Sequence, residues 1–102
     1  MDIKNDVIIT WIADVLKRCA TVDGAILFGS RARGDNKERS DYDVAIAGNV
    51  APEDKIDIDS AIEELPTLLK IDVVYMAELA EDKFLQNIKK EGIKFYDRES
   101  GK

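Results

Sequence analysis

The sequence contains no histidine. That excludes hydrolases and phosphotransferases that work through an imidazole, and the usual histidine-containing zinc sites. The one cysteine, Cys19, cannot close an intramolecular disulfide, so nothing calls for an oxidising compartment. No apolar run approaches the roughly 20 residues needed to cross a bilayer, and Met1-Asp2-Ile3-Lys4 does not resemble a secretory signal. The chain therefore reads as cytoplasmic, without a membrane partner. An excess of positive charge is missing too. Fifteen Lys and Arg against 21 Asp and Glu leave a net charge of −6, which argues against a protein whose main task is gripping a long nucleic acid. Internal repeats, linkers and low-complexity segments are absent.

What is present suits one folded domain. At 102 residues, 45% apolar and 35% charged, the chain can bury a modest core and is not of disordered composition. The reading is a single domain over residues 1–96 with a loose polar tail at 97–102. The basic residues are unevenly spread: Arg31, Arg33, Lys37 and Arg39 fall close together, interrupted only by Asp35 and Glu38. A local cationic loop on an acidic protein suits a small polyanion such as a nucleoside triphosphate better than a duplex.

Ile8, Trp11, Ile12, Val15, Leu16 and Cys19 recur at the spacing of an amphipathic helix, predicted over residues 4–19, with Trp11 and Cys19 read as core. Ala25-Ile26-Leu27-Phe28 predicts a buried strand. Ser30 is placed to cap a short helix through Arg33, which Gly34-Asp35-Asn36 stops. A second strand is predicted from Asp41 to Ala47. A helix beginning near Pro52 carries Ile56, Ile58, Ala61, Ile62 and Leu65 on its apolar stripe, and Pro66 limits it. Leu68 to Met76 predicts a third strand. A last helix from about Ala77 to Glu91 is predicted to bury Leu79, Phe84, Leu85 and Ile88, with Gly92 as its C-cap. Ile93 to Tyr96 follows as a short edge strand. The whole is a small α/β (α+β) domain, with helices packed on a mixed four-stranded sheet.

Chemistry concentrates between residues 27 and 43. An apolar strand ends in Gly29-Ser30, a second begins with Asp41-Tyr42-Asp43, and the cationic loop lies between. Gly29 allows close backbone approach, and Ser30 offers a hydroxyl and amide groups to a phosphate. Alternation along a strand puts Asp41 and Asp43 on one face, roughly 6.5–7 Å apart, a spacing at which two carboxylates can flank Mg²⁺. Each fragment alone is also ordinary turn composition; the combination is what points to a site. A two-metal transfer site needs one more carboxylate. Asp72 is the candidate, because it interrupts an otherwise apolar strand (Leu68, Leu69, Ile71, Val73, Val74) where burying an uncompensated charge would be expensive; the plain alternative is a strand-end aspartate reaching solvent.

Gly29-Ser30, ten intervening residues, then Asp41-Tyr42-Asp43 resembles the signature of the DNA polymerase β-like nucleotidyltransferases. The flanking Ala32-Arg33-Gly34 and Ser40 make the chain similar to the minimal nucleotidyltransferases, the MntA-type antitoxins of prokaryotes. Val44 stands where leucine is frequent. The resemblance implies an enzyme that transfers AMP from ATP to a tyrosine of a HEPN-type helical toxin encoded beside it. It implies Mg²⁺, as two ions, at Asp41, Asp43 and Asp72. Gly29 and Ser30 would hold the triphosphate. Arg31, Arg33 and Arg39 are candidates for phosphate or partner contacts, since the motif does not fix their roles; of the three, Arg33 is the one taken as a nucleotide-binding candidate. Two other readings stand beside this one: an antitoxin that neutralises its partner by binding alone, and nucleotidyl transfer to a small molecule such as an aminoglycoside or to an RNA end. A domain this small leaves little chain for a second substrate, so the acceptor is expected to bring its own surface.

Overall fold

Asp6 opens the first helix. In the computed structural model, which describes residues 5–80 and 82–100, the Asp6 carboxylate accepts from the amides of Ile8 and Ile9 at 2.9 and 3.1 Å. This satisfies two donors that a helix start leaves unpaired. Helix α1 then runs Val7–Lys17 and buries Ile8, Ile9, Ile12, Val15 and Leu16. The sequence-based start at residue 4 lies outside the described residues. Cys19 is buried beyond the helix end, and Trp11 packs half-buried on the same core.

Four strands follow: β1 Gly24–Phe28, β2 Tyr42–Ala47, β3 Ile71–Tyr75 and β4 Ile93–Asp97, in the spatial order β3-β2-β1-β4. β1 lies antiparallel to β2 and to β4, whereas β2 and β3 are parallel. The parallel pair requires a crossover, which helix α3 (Pro52–Glu63) supplies. The mixed four-stranded sheet expected from sequence is the one observed.

The two faces of the sheet have different tasks. Ala25, Leu27, Tyr42, Val44 and Ile46 join Ile12, Leu16 and Ile58 in one core beneath α1 and α3. Fully burying a side chain such as Ile12 or Leu16 stabilises the fold by about 1.5–3 kcal/mol. Alternation sends Ile26, Phe28, Asp43 and Asp72 to the other face. There helix α4 (Lys83–Glu91) packs against β1 through the buried Leu85 and Ile88. Gly92 does cap α4, but with an ordinary negative φ; what requires glycine is space, since a Cβ would collide with Ile26 and with the Ile88 carbonyl.

Several boundaries differ from those read in sequence. Ile56 is exposed while Ile58 is fully buried, because residues two apart on a helix face nearly opposite ways. β3 starts at Ile71, where pairing with β2 begins: the Tyr42 amide donates to the Lys70 carbonyl at 2.9 Å. Leu68 lies ahead of that pairing, fully exposed. The expected long last helix divides into a 3₁₀ turn, Met76–Glu78, and α4, whose separate start is set by Asp82 accepting from the Leu85 amide at 3.2 Å. Phe84 is exposed rather than buried. Of the polar tail, Asp97 ends β4 and Arg98–Ser100 forms a 3₁₀ turn. The Arg98 guanidinium donates to the Val22 carbonyl at 2.6 Å and to that of Cys19, which pins this end against the α1–β1 connection. Residues 101 and 102 lie outside the described residues.

Candidate active site

At the end of β1 the chain turns sharply. Gly29 has φ +75°, which side-chain-bearing residues avoid, and it caps the short helix α2 (Ser30–Arg33). Ser30 is therefore the first residue of the helix rather than its cap. The turn needs glycine for a second reason: a Cβ on Gly29 would collide with the Asp43 carboxylate. The Asp43 side chain thus lies directly against the Gly-Ser turn. The Ser30 hydroxyl makes no hydrogen bond among the described residues. Gly34, with φ +85° and its amide donating to the Ser30 carbonyl at 2.9 Å, ends α2.

Strand register aligns the chemistry. Phe28 pairs with Asp43 across β1 and β2, and Asp43 pairs with Asp72 across β2 and β3. Paired residues point to one side of a sheet, so Phe28, Asp43 and Asp72 form a row across three strands. Neighbouring strands are about 4.8 Å apart, which brings the Asp43 and Asp72 carboxylates into mutual reach. β2 begins at Tyr42, so Asp41 stands just ahead of the strand, exposed, instead of being its first member. Its charge still acts on Asp43. Burial, then Asp72, then Asp41 raise the Asp43 carboxyl above the usual carboxylate range, and Arg33 and Lys70 partly oppose them.

Asp72 is not the deeply buried, uncompensated charge that its apolar neighbours in sequence suggest. β3 is an edge strand, the Asp72 side chain is 40% exposed, and Lys70 lies 3.4 Å away. Lys70 is a residue that sequence reading missed. Its signal was the two-residue spacing to Asp72, which in an extended chain returns to the same face.

The three arginines have different tasks. Arg31 is buried and does not face a phosphate site. Its guanidinium donates to the Ser40 carbonyl at 2.9 and 3.1 Å and to the Glu38 carbonyl at 3.1 Å, and it lies 4.0 Å from the centre of the Tyr42 ring. The Tyr42 hydroxyl in turn donates to Asp6 at 2.7 Å. Arg31 therefore fixes the loop that delivers Asp41 and Asp43, and ties it to the start of α1. Arg33 is exposed, pairs with Asp35 at 3.2 Å, and its charge reaches Asp43. Arg39 is exposed, without a hydrogen bond or ion pair among the described residues.

The donor set suits a hard divalent cation. All the candidate ligands are carboxylate oxygens, and the like charges that crowd Asp43 are what a bound cation neutralises. Among the described residues no three carboxylates, cysteines or histidines converge closely enough to hold a metal ion by themselves. That is compatible with Mg²⁺, which usually takes one or two carboxylates and completes its shell with water and phosphate oxygens.

The family model described as Polymerase beta, Nucleotidyltransferase matches residues 11–101. No curated protein matches the sequence. Among solved structures, a candidate nucleotidyltransferase from Sulfolobus solfataricus is 22% identical, with a TM-score of 0.56 over 89% of this chain and 78% of its own. A toxin-antitoxin structure with AMP-PNP is 18% identical, with a TM-score of 0.65 over 84% of this chain and 70% of its own. A candidate minimal nucleotidyltransferase is 25% identical, with a TM-score of 0.59 over 91% of this chain and 95% of its own. Among the described residues no helix is long and apolar enough to cross a membrane.

Proposed function

The chain belongs to the Polymerase beta nucleotidyltransferase family, and on that premise we propose that it transfers AMP from ATP to a protein hydroxyl. The acceptor we propose is a tyrosine of a HEPN-type toxin encoded by the adjacent gene, so that the chain acts in the cytoplasm as an MntA-type antitoxin. The observation that carries the transferase reading is the in-register pair Asp43 and Asp72, with the Asp43 carboxylate lying against Gly29. The protein-acceptor reading draws support from the fold shared with the toxin-antitoxin structure with AMP-PNP.

In this mechanism the Gly29-Ser30 turn holds the triphosphate, with the Ser30 hydroxyl donating to a phosphate oxygen. Asp41 and Asp43, with Asp72 completing the set, would hold Mg²⁺ together with water and phosphate oxygens, and the ion would supply charge neutralisation at the phosphate. Asp72, at the open edge of the sheet, takes the proton of the acceptor hydroxyl. The acceptor oxygen bonds to the α-phosphorus, the bond from that phosphorus to the bridging oxygen breaks, and pyrophosphate leaves with the electron pair. Arg33 faces the developing charge; Arg31 holds the loop.

The test uses ATP labelled on the α-phosphate, Mg²⁺ and the product of the adjacent gene. Label should move to the partner, and an Asp43→Asn chain should not move it. A folded wild-type chain that transfers no label would refute the proposal.

A further inference from the structure

Beside the Gly29 turn, on the same face of the sheet as Asp43, lies a cavity of about 220 Å³. Its walls are Phe28, Gly29, Arg33, Phe84, Asn87, Ile88 and Glu91. Pockets for whole ligands run to roughly 300–1,000 Å³, so this one suits a single heteroaromatic ring system. Phe84, Asn87, Ile88 and Glu91 recur at three-and-four spacing and so share one side of α4. Ile88 is buried as the floor, while Phe84 is 45% exposed. An exposed phenyl ring is costly to leave in water, yet here it is held: Phe28 meets it edge to face, with ring centres 5.8 Å apart. Asn87 and Glu91 stand exposed at the rim.

We propose that this cavity binds the base of the donor nucleotide. The inference rests on the nucleotidyltransferase reading above and adds the residues that recognise the nucleoside. Two walls favour this occupant. Gly29 belongs both to the cavity and to the turn that faces Asp43, and Arg33 lines the cavity while its charge reaches Asp43. A ring tethered by one ribose to a phosphate at that turn falls within reach of Phe84, whose face offers sequence-tolerant stacking. Selection comes from the rim. The Glu91 carboxylate only accepts hydrogen bonds and Asn87 both donates and accepts, which favours a base with an exocyclic amino group. Uracil would turn carbonyl oxygens toward the Glu91 carboxylate and is disfavoured.

The test measures binding, not turnover. The full chain and its Phe84→Ala, Asn87→Ala and Glu91→Gln variants are titrated calorimetrically in Mg²⁺ with ATP, UTP and inorganic triphosphate. All three positions are exposed, and a thermal melt checks folding. Phe84→Ala should weaken ATP at least tenfold, as loss of a stacking partner does, and leave inorganic triphosphate unchanged. Glu91→Gln should narrow the preference for ATP over UTP. If Phe84→Ala and Asn87→Ala bind ATP as the wild type does, the cavity is not the base site and the inference falls while the transferase reading stands. It falls equally if ATP binding is untouched but label transfer to the partner is lost, since the cavity would then serve the acceptor. A wild-type chain that binds neither ATP nor triphosphate overturns both.

Discussion

The Arg31 guanidinium lies 4.0 Å from the centre of the Tyr42 ring, under the residue that separates the two aspartates of the Asp-x-Asp motif. Arg31 is only 6% exposed and gives its other contacts to the backbone carbonyls of Glu38 and Ser40. A residue that sequence places among phosphate-binding candidates is a positioning residue.

Arg31→Ala should therefore damage placement before affinity. It removes the stacking contact and leaves two carbonyls short of a donor, at a cost of about 2–4 kcal/mol in urea unfolding. Where the variant is folded, kcat should fall while the Kd for ATP stays within about twofold; Arg31→Lys, which cannot bridge both carbonyls with one planar group, should recover only part of the loss. A large rise in Kd with unchanged stability would return Arg31 to the phosphate site.

Gly29 and Gly34 both have positive φ, but only Gly29 is crowded. Gly34→Ala should cost about 1 kcal/mol of stability and leave transfer within about twofold. Gly29→Ala adds a collision with the Asp43 carboxylate and should abolish transfer at a comparable or somewhat greater cost in stability. Equal activity in the two variants would show that the Asp43 position is unimportant.

Asp43→Asn separates stability from chemistry. The Asp43 carboxyl is raised by burial, Asp72 and Asp41, so its ionised form is disfavoured in the folded chain. Its effect on stability is favourable at low pH and lost as pH rises through the raised value. Without metal, the neutral asparagine should unfold at slightly higher urea than the wild type at pH 7. Activity should nonetheless fall by about 10³-fold, the loss of several kcal/mol of transition-state stabilisation.

Tyr42 contributes to the alkaline limit. Burial and the bond to Asp6 push its hydroxyl up to about 12 from an ordinary 10. A raised value favours the neutral form in the fold, so the stability it contributes is complete below pH 10 and is lost between about pH 10 and 12. The two units correspond to about 2–3 kcal/mol. Urea midpoints at pH 8 and 11.5 should differ by less in Tyr42→Phe than in the wild type. Identical pH dependence would mean that the hydroxyl is not held as described.

The sequence by itself determined most of the elements and where the candidate site residues lie along the chain. Apolar spacing in α1, the Gly29-Ser30 break and the Asp-x-Asp run are local patterns, and local patterns follow from helix and strand periodicity. Asp72 was also legible as a charge in an apolar run, although the reason given for it, burial, was not the one found. Partnership was beyond the sequence, because strand order and register depend on how distant segments pair. Only the fold sets Asp72 opposite Asp43, puts Asp43 against Gly29, and turns Arg31 inward under Tyr42 while Arg33 stays out. Side-chain direction on α4 was settled the same way. Phe84 has the spacing of a core residue, but Ile88 and Leu85 take the contact with β1, which leaves Phe84 and Phe28 to frame the cavity beside the candidate active site.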